Sequence, residues 1–142
     1  MNFVIIPAYN EESSLGPLLT RIRETMAEAK LEYRVLVVND GSSDGTAGVA
    51  TQFAAGMPVE LIDRDRNGGL AEAMRTGFDA ALARCSERDI VIVMDADDTH
   101  NPGLIVAMVR MIREGNDVVI ASRFVPGGRV IGVPWDRRLL SV

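Results

Sequence analysis

Short apolar runs alternate along this chain with longer segments that have helical spacing. The runs cover residues 3–6, 35–38, 90–94 and 118–121, with a weaker one at 59–62. Because they are apolar throughout rather than at every second residue, they predict strands covered on both faces. Strands that alternate with helices predict right-handed crossovers and a mainly parallel, open α/β sheet with helices on both faces.

Three segments repeat apolar residues at helical spacing, and turn residues mark where the helices begin. The periodic residues are Leu15, Leu18, Leu19 and Ile22; Leu70, Ala73, Met74, Gly77 and Ala81; and Leu104, Ile105, Met108 and Ile112. The turn residues are Gly41, Ser42 and Ser43, which predict the cap of a further helix after the second strand; Asn67, Gly68 and Gly69; and Asn101 and Pro102. Residues of these types are favoured at helix starts, so they agree with the periodicity.

The length of 142 residues predicts one domain. We place this domain at residues 1–124 and a Gly/Pro-rich loop and tail at residues 125–142. A formal charge of −5 argues against a broad basic surface for nucleic acid. The single Cys85 excludes an internal disulfide. We therefore expect a protein of a reducing compartment, the cytoplasm, with no leader and no membrane-spanning segment.

Polar residues follow three of the predicted strands directly. Asp95 and Asp97 follow the fourth, Asp40 follows the second, and Tyr9 and Glu11 follow the first. In open α/β sheets ligands bind beyond the carboxyl ends of the strands, so these side chains are expected along one rim.

The Asp95-Ala96-Asp97 motif places two carboxylates two residues apart at a strand end. Mg²⁺ prefers oxygen ligands and is often held by one or two carboxylates while substrate phosphates and water complete its shell. The motif predicts a divalent cation that binds a diphosphate. The alternative is that the two residues cap the next helix or stay hydrated.

The other rim residues each have a plainer alternative. Asp40 is expected to accept hydrogen bonds from a base or ribose, although a tight turn is its alternative role, whereas Asp44 and Thr46 are expected only to begin a helix. The alternative role of Tyr9 is an aromatic ring packed in the core, and that of Glu11 is an acid in the first turn of a helix. For both residues the sequence favours neither this role nor ligand binding.

Two further residues lie near the predicted metal motif. Arg123 follows the run at residues 118–121, and its guanidinium suits phosphate oxygens, although an ion pair with Asp95 or Asp97 is the alternative. The lone histidine, His100, is expected to make local hydrogen bonds rather than to act as a base.

Taken together, five motifs in this order resemble the family 2 glycosyltransferases of Rossmann-like GT-A fold. The motifs lie at residues 7–11, 37–46, 67–70, 95–97 and 122–124. Residues 95–100 and 122–128 are most similar to the branch that contains dolichyl-phosphate mannosyltransferase and bacterial polyprenyl-phosphate sugar transferases.

The resemblance implies an inverting transferase that moves a hexose from a GDP-mannose or UDP-glucose type of donor to a polyprenyl phosphate, with Mg²⁺ or Mn²⁺. It implies that Asp95 and Asp97 hold the metal, that Asp97 and Arg123 act in catalysis, and that the donor contacts a larger set of residues. That set is Pro7, Tyr9, Glu11, Val38, Asp40, Asp95, Ala96, Asp97 and Arg123. A lipid acceptor also implies work at the cytoplasmic face of a membrane.

The chain departs from this branch at Thr99, where a glutamine that helps to hold the metal is common. The acceptor-side region of the family lies beyond the end of this sequence, and Arg129, Arg137 and Arg138 are more readily explained as a solvated tail. The alternatives are therefore a donor-binding module without turnover and a family 2 enzyme with a saccharide acceptor. A nucleotidyltransferase is disfavoured, because residues 7–11 are neither glycine-rich nor basic.

Overall fold

The computed structural model describes residues 1–122, which form four strands and four helices in strict alternation. The strands are β1 (Asn2–Ala8), β2 (Tyr33–Asn39), β3 (Val59–Asp63) and β4 (Ile90–Val93). The helices are α1 (Glu12–Glu28), α2 (Thr46–Ala54), α3 (Leu70–Leu82) and α4 (Gly103–Arg113).

The four strands form one parallel sheet in the order β3-β2-β1-β4. At the centre, Ile5 of β1 pairs with Leu36 on one side and with Val93 on the other. Since all strands run in the same direction, their carboxyl ends lie along one edge of the sheet. The predicted α/β class is confirmed.

Helices cover both faces of the sheet. On one face, residues such as Val4 and Ile6 pack with α1, α2 and α4 through Ile22, Ala50 and Ile105. On the other face, a second set packs around α3 and comprises Phe3, Ile5, Leu36, Val38, Ala73 and Ala81. These two layers explain why β1 is buried along its whole length and why its sequence is apolar without alternation.

Helix α3 approaches the sheet closely through a glycine. A Cβ added to Gly77 would lie 2.3 Å from Cγ2 of Ile5 and 3.3 Å from Cγ2 of Val38. Only hydrogen fits at this position, so the glycine sets how closely α3 lies to β1 and β2.

The prediction of a strand at residues 118–121 is wrong, because these residues are not in the sheet. Val118 is 75% exposed and Ile120 is 80% exposed. A β-branched run favours a strand only when a neighbouring strand accepts its hydrogen bonds and a helix covers its side chains. Within residues 1–122 this run pairs with no strand and no helix covers it, so β4 remains the edge of the described sheet.

The helix starts are close to the predicted positions, with one shift. Helix α2 begins at Thr46 with Gly45 as its N-cap residue, later than the predicted cap at residues 41–43, and the carboxylate of Asp44 accepts hydrogen bonds from the backbone N–H of Thr46 at 3.0 Å and from its hydroxyl. Asn67 and Asn101 accept hydrogen bonds from Gly69 and Gly103 at the starts of α3 and α4. Side chains that accept two residues ahead are typical of helix starts.

Candidate functional site

A cleft of about 390 Å³ opens at the carboxyl ends of β1, β2 and β4, beside the start of α3. Its walls come from all four of these elements. The residues that line it are Pro7, Ala8, Tyr9, Glu11, Asp40, Asn67, Gly69, Leu70, Ala73, Asp95, Ala96 and Asp97. The residues predicted to gather on one rim, from positions far apart in the sequence, therefore lie around one cleft.

Asp40 is the buried acid of this cleft, with 3% of its surface exposed. Its carboxylate forms an ion pair with Arg64 and accepts hydrogen bonds from the backbone N–H groups of Gly68, at 3.1 Å, and Gly69, at 2.8 Å. Two backbone N–H groups and the guanidinium of Arg64 offset the loss of hydration that burial imposes on a carboxylate. Asp40 therefore anchors the loop that leads into α3, in addition to facing the cleft.

This loop also fits closely around the turn after β2. Gly41 adopts a φ of +67°, and a Cβ there would lie 2.5 Å from the backbone N of Asn67. Both the backbone conformation and the space exclude a side chain at this position. The glycine after Asp40 thus allows the two loops to touch.

Arg64 is a partner that sequence reasoning missed. The register of the sheet pairs Asn39 with Asp63, the last residues of β2 and β3. The residues that follow them, Asp40 and Arg64, are therefore side by side. The backbone N–H of Arg64 also donates to the carbonyl of Asn39 at 3.0 Å. Knowing that β2 and β3 are parallel neighbours in this register would have been sufficient to find the pair.

The Asp95-Ala96-Asp97 motif is more open to solvent than Asp40. Ala96 is buried, with 3% of its surface exposed, whereas Asp95 and Asp97 are exposed. Hydrogen bonding between β4 and β1 extends to Met94, whose N–H donates to the carbonyl of Ile5 at 3.0 Å. The carboxylates of Asp95 and Asp97 therefore lie just past the carboxyl end of β4, on either side of the buried Ala96.

Thr99 holds Asp97 in place. Its backbone N–H and its hydroxyl donate to Oδ1 of Asp97 at 3.0 Å and 2.7 Å. In the branch that this chain resembles, a glutamine is common at this position. Here the hydroxyl of Thr99 donates to the carboxylate of Asp97 instead.

Within residues 1–122, no three acidic, histidine or cysteine side chains form a ready-made metal cluster. Asp95 and Asp97 supply hard carboxylate oxygens to the cleft, which are the ligands that Mg²⁺ and Mn²⁺ prefer. Two exposed carboxylates fit a cation whose remaining ligands are water and the oxygens of a bound diphosphate. The chemistry of Asp95 and Asp97 therefore fits the predicted Mg²⁺ or Mn²⁺.

His100 and Arg123 complete the predicted surroundings of the motif. Nδ1 of His100 lies 3.8 Å from Oδ2 of Asp95, and both side chains are more than half exposed, so this contact is weak. Arg123 lies outside the described residues, as does the predicted tail at residues 125–142.

The loop after β1 carries two of the predicted donor contacts. Tyr9 is 48% exposed and lines the cleft, so it is not the packed ring of the alternative interpretation. Glu11 precedes α1 directly, donates its backbone N–H to the hydroxyl of Thr46 at 2.9 Å, and accepts a hydrogen bond from Ser14 through its carboxylate. The side chain of Val38 is fully buried among the residues under α3 and does not line the cleft.

Asp44 and the loop after β1 connect the starts of α1 and α2. The backbone N–H of Glu12 donates to Oδ2 of Asp44 at 3.2 Å. Hydrogen bonds from Thr46 are the largest cause that lowers the pKa of Asp44, because they stabilise its ionised form. The expected role of Asp44 at the helix start is confirmed.

Comparisons with known proteins agree with this arrangement. Residues 3–139 match the family model described as Glycosyl transferase family 2. Dolichol-phosphate mannosyltransferase of Pyrococcus furiosus is 38% identical over 138 residues, which are 97% of this chain and 37% of that protein. Polyprenol monophosphomannose synthase of Mycolicibacterium smegmatis is 37% identical over 140 residues, which are 97% of this chain and 51% of that protein.

Among solved structures, mannosyltransferase PcManGT from Pyrobaculum calidifontis in complex with GDP-Man and Mn²⁺ is 29% identical, with a TM-score of 0.51. The match covers 68% of this chain and 27% of that one. The chain spans between 37% and 51% of the length of the two curated relatives above. The sheet, the helices on both faces and the match across residues 3–139 show that this chain belongs to glycosyl transferase family 2.

Proposed function

We propose that this protein transfers a hexose from a nucleoside diphosphate sugar, of the GDP-mannose type, to a polyprenyl phosphate. The observation that carries the proposal is the meeting of Asp40, Asp95 and Asp97 around one cleft at the carboxyl edge of the sheet. The names of the two curated relatives, a dolichol-phosphate mannosyltransferase and a polyprenol monophosphomannose synthase, support mannose and a lipid phosphate as the substrate classes.

In this proposal the two ends of the donor lie on two sides of the cleft. The nucleoside contacts the side formed by Tyr9, Glu11 and Asp40, and the diphosphate lies beside Asp95 and Asp97. The carboxylate of Asp40 is held on this side by Arg64 and by the backbone N–H groups of Gly68 and Gly69. It therefore serves as a hydrogen-bond acceptor for an N–H or O–H group of the nucleoside.

Asp95 and Asp97 are proposed to hold Mg²⁺ or Mn²⁺, which when bound neutralises charge that grows on the departing diphosphate. Thr99 keeps one oxygen of Asp97 in a fixed orientation. Arg123 is proposed, from the family resemblance, to contact the same phosphates. These contributions are electrostatic and require no proton transfer from the protein.

The acceptor chemistry explains why the cleft needs no general base. A phosphate oxygen of the lipid forms the new bond to the anomeric carbon, while the bond from that carbon to the nucleoside diphosphate breaks. The acceptor is already an anion, so no proton has to be removed before attack. Attack from the side opposite the leaving group inverts the anomeric carbon.

A lipid acceptor places the reaction at a membrane surface, which we propose is the cytoplasmic face. No helix within residues 1–122 has both the length and the apolar character needed to span a bilayer. Peripheral attachment predicts that the protein floats with vesicles that contain polyprenyl phosphate. A protein that stays wholly in the unbound fraction would argue against direct attachment.

The test is a transfer assay with radiolabelled GDP-mannose or UDP-glucose, polyprenyl phosphate, and Mg²⁺ or Mn²⁺. The proposal predicts labelled lipid that disappears when EDTA is added and falls steeply when Asp97 is replaced by Asn. The absence of lipid product under every donor and cation, with a saccharide product instead, would favour a saccharide acceptor.

The alternative is a module that binds donor and cation without turnover. The observation that favours it is that the cleft residues assigned above, Asp40, Asp95 and Asp97, all serve the donor. Calorimetry distinguishes the two proposals, because the module binds GDP in a Mn²⁺-dependent manner and yet gives no product. Loss of both binding and transfer would exclude both.

A further inference from the structure

The loop that carries the two exposed carboxylates is tied to α1 by one arginine. This loop is formed by residues 95–100, and the buried residues Met94 and Pro102 lie on its two sides. Between them, NH1 of Arg21 lies 2.6 Å from Oδ1 of Asp98, and NH2 of Arg21 lies 3.5 Å from the carbonyl oxygen of His100. Arg21 thus contacts the loop at two points, one on a side chain and one on the backbone.

The backbone of the loop takes an unusual turn at Asp98. Asp98 has a φ of +55°, in the left-handed region that few residues other than glycine, asparagine and aspartate adopt. The other hydrogen bonds that this loop makes within residues 1–122 are local, such as those from Thr99 to Asp97. Local bonds shape the turn but do not fix it relative to the sheet and the cleft.

Neither Arg21 nor Asp98 lines the cleft. The side chain of Arg21 is 40% exposed and that of Asp98 is 25% exposed. Ion pairs as open as this one add little to global stability. The contact instead holds Asp98, the residue that immediately follows Asp97, outside the cleft lining.

We propose that Arg21 is a positioning residue that fixes the loop of residues 95–100, so that Asp95 and Asp97 point together at the cation. This inference rests on the proposed function of the two carboxylates. Arg21 acts through Asp98 and the backbone of His100 and does not touch the substrate. Partners beyond the direct ligands of a metal are known to set ligand orientation and to change metal affinity.

The experiment measures GDP affinity by calorimetry in Mn²⁺ and again in EDTA, on the full chain. Arg21→Gln is expected to weaken GDP binding in Mn²⁺ by about tenfold, the lower end of what such outer partners contribute. Binding in EDTA is expected to stay unchanged, because the nucleoside side of the cleft is not altered. Arg21→Lys keeps the charge with a less suitable geometry and is expected to recover part of the loss.

Two more variants identify the contact itself. Asp98→Asn keeps a residue that tolerates the left-handed backbone, removes the charge and leaves the contact of Arg21 with His100, so it is expected to weaken binding in Mn²⁺ by no more than Arg21→Gln does. Combining the two changes is expected to cost no more than Arg21→Gln alone, since that change already removes both contacts. Arg23→Gln, an equal charge change on an exposed residue of the same helix, is the control and is expected to have no effect.

The outcomes separate this inference from the function on which it rests. If the unaltered protein shows no Mn²⁺-dependent GDP binding, the proposed function fails. If it does and Arg21→Gln binds equally well in Mn²⁺, the positioning role is overturned. Equal weakening in Mn²⁺ and in EDTA would also overturn it, because the effect would then be a general disturbance of the cleft.

Discussion

The two sides of the cleft are held together in different ways. On one side Asp40 is 3% exposed and is surrounded by Arg64, Gly68 and Gly69, which together satisfy its carboxylate. On the other side Asp95 and Asp97 are exposed and are held by a local turn and by the contact of Arg21 with Asp98. The first side is held by contacts within the protein, whereas the second offers exposed carboxylates to which a cation and a diphosphate are proposed to bind.

This contrast has a simple physical basis. A buried charge must have partners within the protein, since water cannot reach it, whereas exposed charges are stabilised by water until a ligand replaces it. We therefore expect changes at Asp40 to affect stability and binding together. Changes at Asp97 are expected to affect binding and transfer alone.

The largest expected effect is that of Asp40→Asn. The change removes the charge that pairs with Arg64 and brings a donor amide against the N–H groups of Gly68 and Gly69. We expect a loss of about 3 kcal/mol in the free energy of unfolding, as for other buried pairs that lose one partner. Urea denaturation followed by circular dichroism measures it, with exposed Asp65→Asn as the control for the same charge change. A loss no larger than that of the control would mean that the contacts of Asp40 with Arg64, Gly68 and Gly69 do not stabilise the folded protein.

The second effect is that of Asp97→Asn, which is expected to lower the rate of transfer and to leave the free energy of unfolding nearly unchanged. Transfer is expected to fall by about 100-fold, because a carboxylate ligand of the cation is lost. The free energy of unfolding is expected to change by less than about 0.5 kcal/mol, as is usual for exposed positions. Initial rates and urea denaturation on the same preparation measure both. A large loss of stability would remove the distinction between the two sides.

The third effect tests the packing behind the Asp40 side. Gly77→Ala places a methyl group 2.3 Å from Ile5, so either α3 or the sheet must move. We expect destabilisation by about 2 kcal/mol from overpacking, together with weaker GDP binding, because α3 begins at the cleft. Thermal unfolding and calorimetry measure the two quantities.

Gly48→Ala in α2 is the matched control for this change, because a Cβ there meets no atom within 4 Å. A helix-interior glycine with free space gains about 0.5–1 kcal/mol on replacement by alanine. If Gly77→Ala also stabilised the protein, the close approach of α3 to the sheet would be contradicted.

The smallest effect concerns pH. Hydrogen bonds from Thr46 lower the pKa of Asp44 below its ordinary value of 3.8. Its contribution to stability is therefore present above pH 3.8 and is lost as the pH falls through the lower pKa of the folded state. Asp44→Asn is expected to make acid unfolding slightly less steep in that range, and exposed Asp117→Asn to leave it unchanged. Identical acid unfolding curves for the protein and the Asp44 variant would refute this.

The fold was largely predictable because apolar runs and helical spacing report burial directly. Four of the five runs became strands, and the carboxyl ends of two of them brought Asp40, Asp95 and Asp97 to one cleft as expected. The run at residues 118–121 was not predictable in this way. An apolar run shows what a segment could bury, but only the presence of a neighbouring strand decides whether it pairs.

The partners of the site residues were also beyond sequence reasoning. Arg64 meets Asp40 only because β2 and β3 are paired in a particular register, and Arg21 meets Asp98 across 77 positions of the chain. Neither arginine belongs to a local motif. Their contacts depend on the arrangement of elements, which spacing along the chain does not report.

The most direct test of the account is a crystal structure of the protein with GDP-mannose and Mn²⁺. The account predicts the nucleoside beside Tyr9 and Asp40, and the ion between the diphosphate and the carboxylates of Asp95 and Asp97. A nucleotide bound on another face of the sheet, or an ion with no ligand from Asp95 or Asp97, would contradict it.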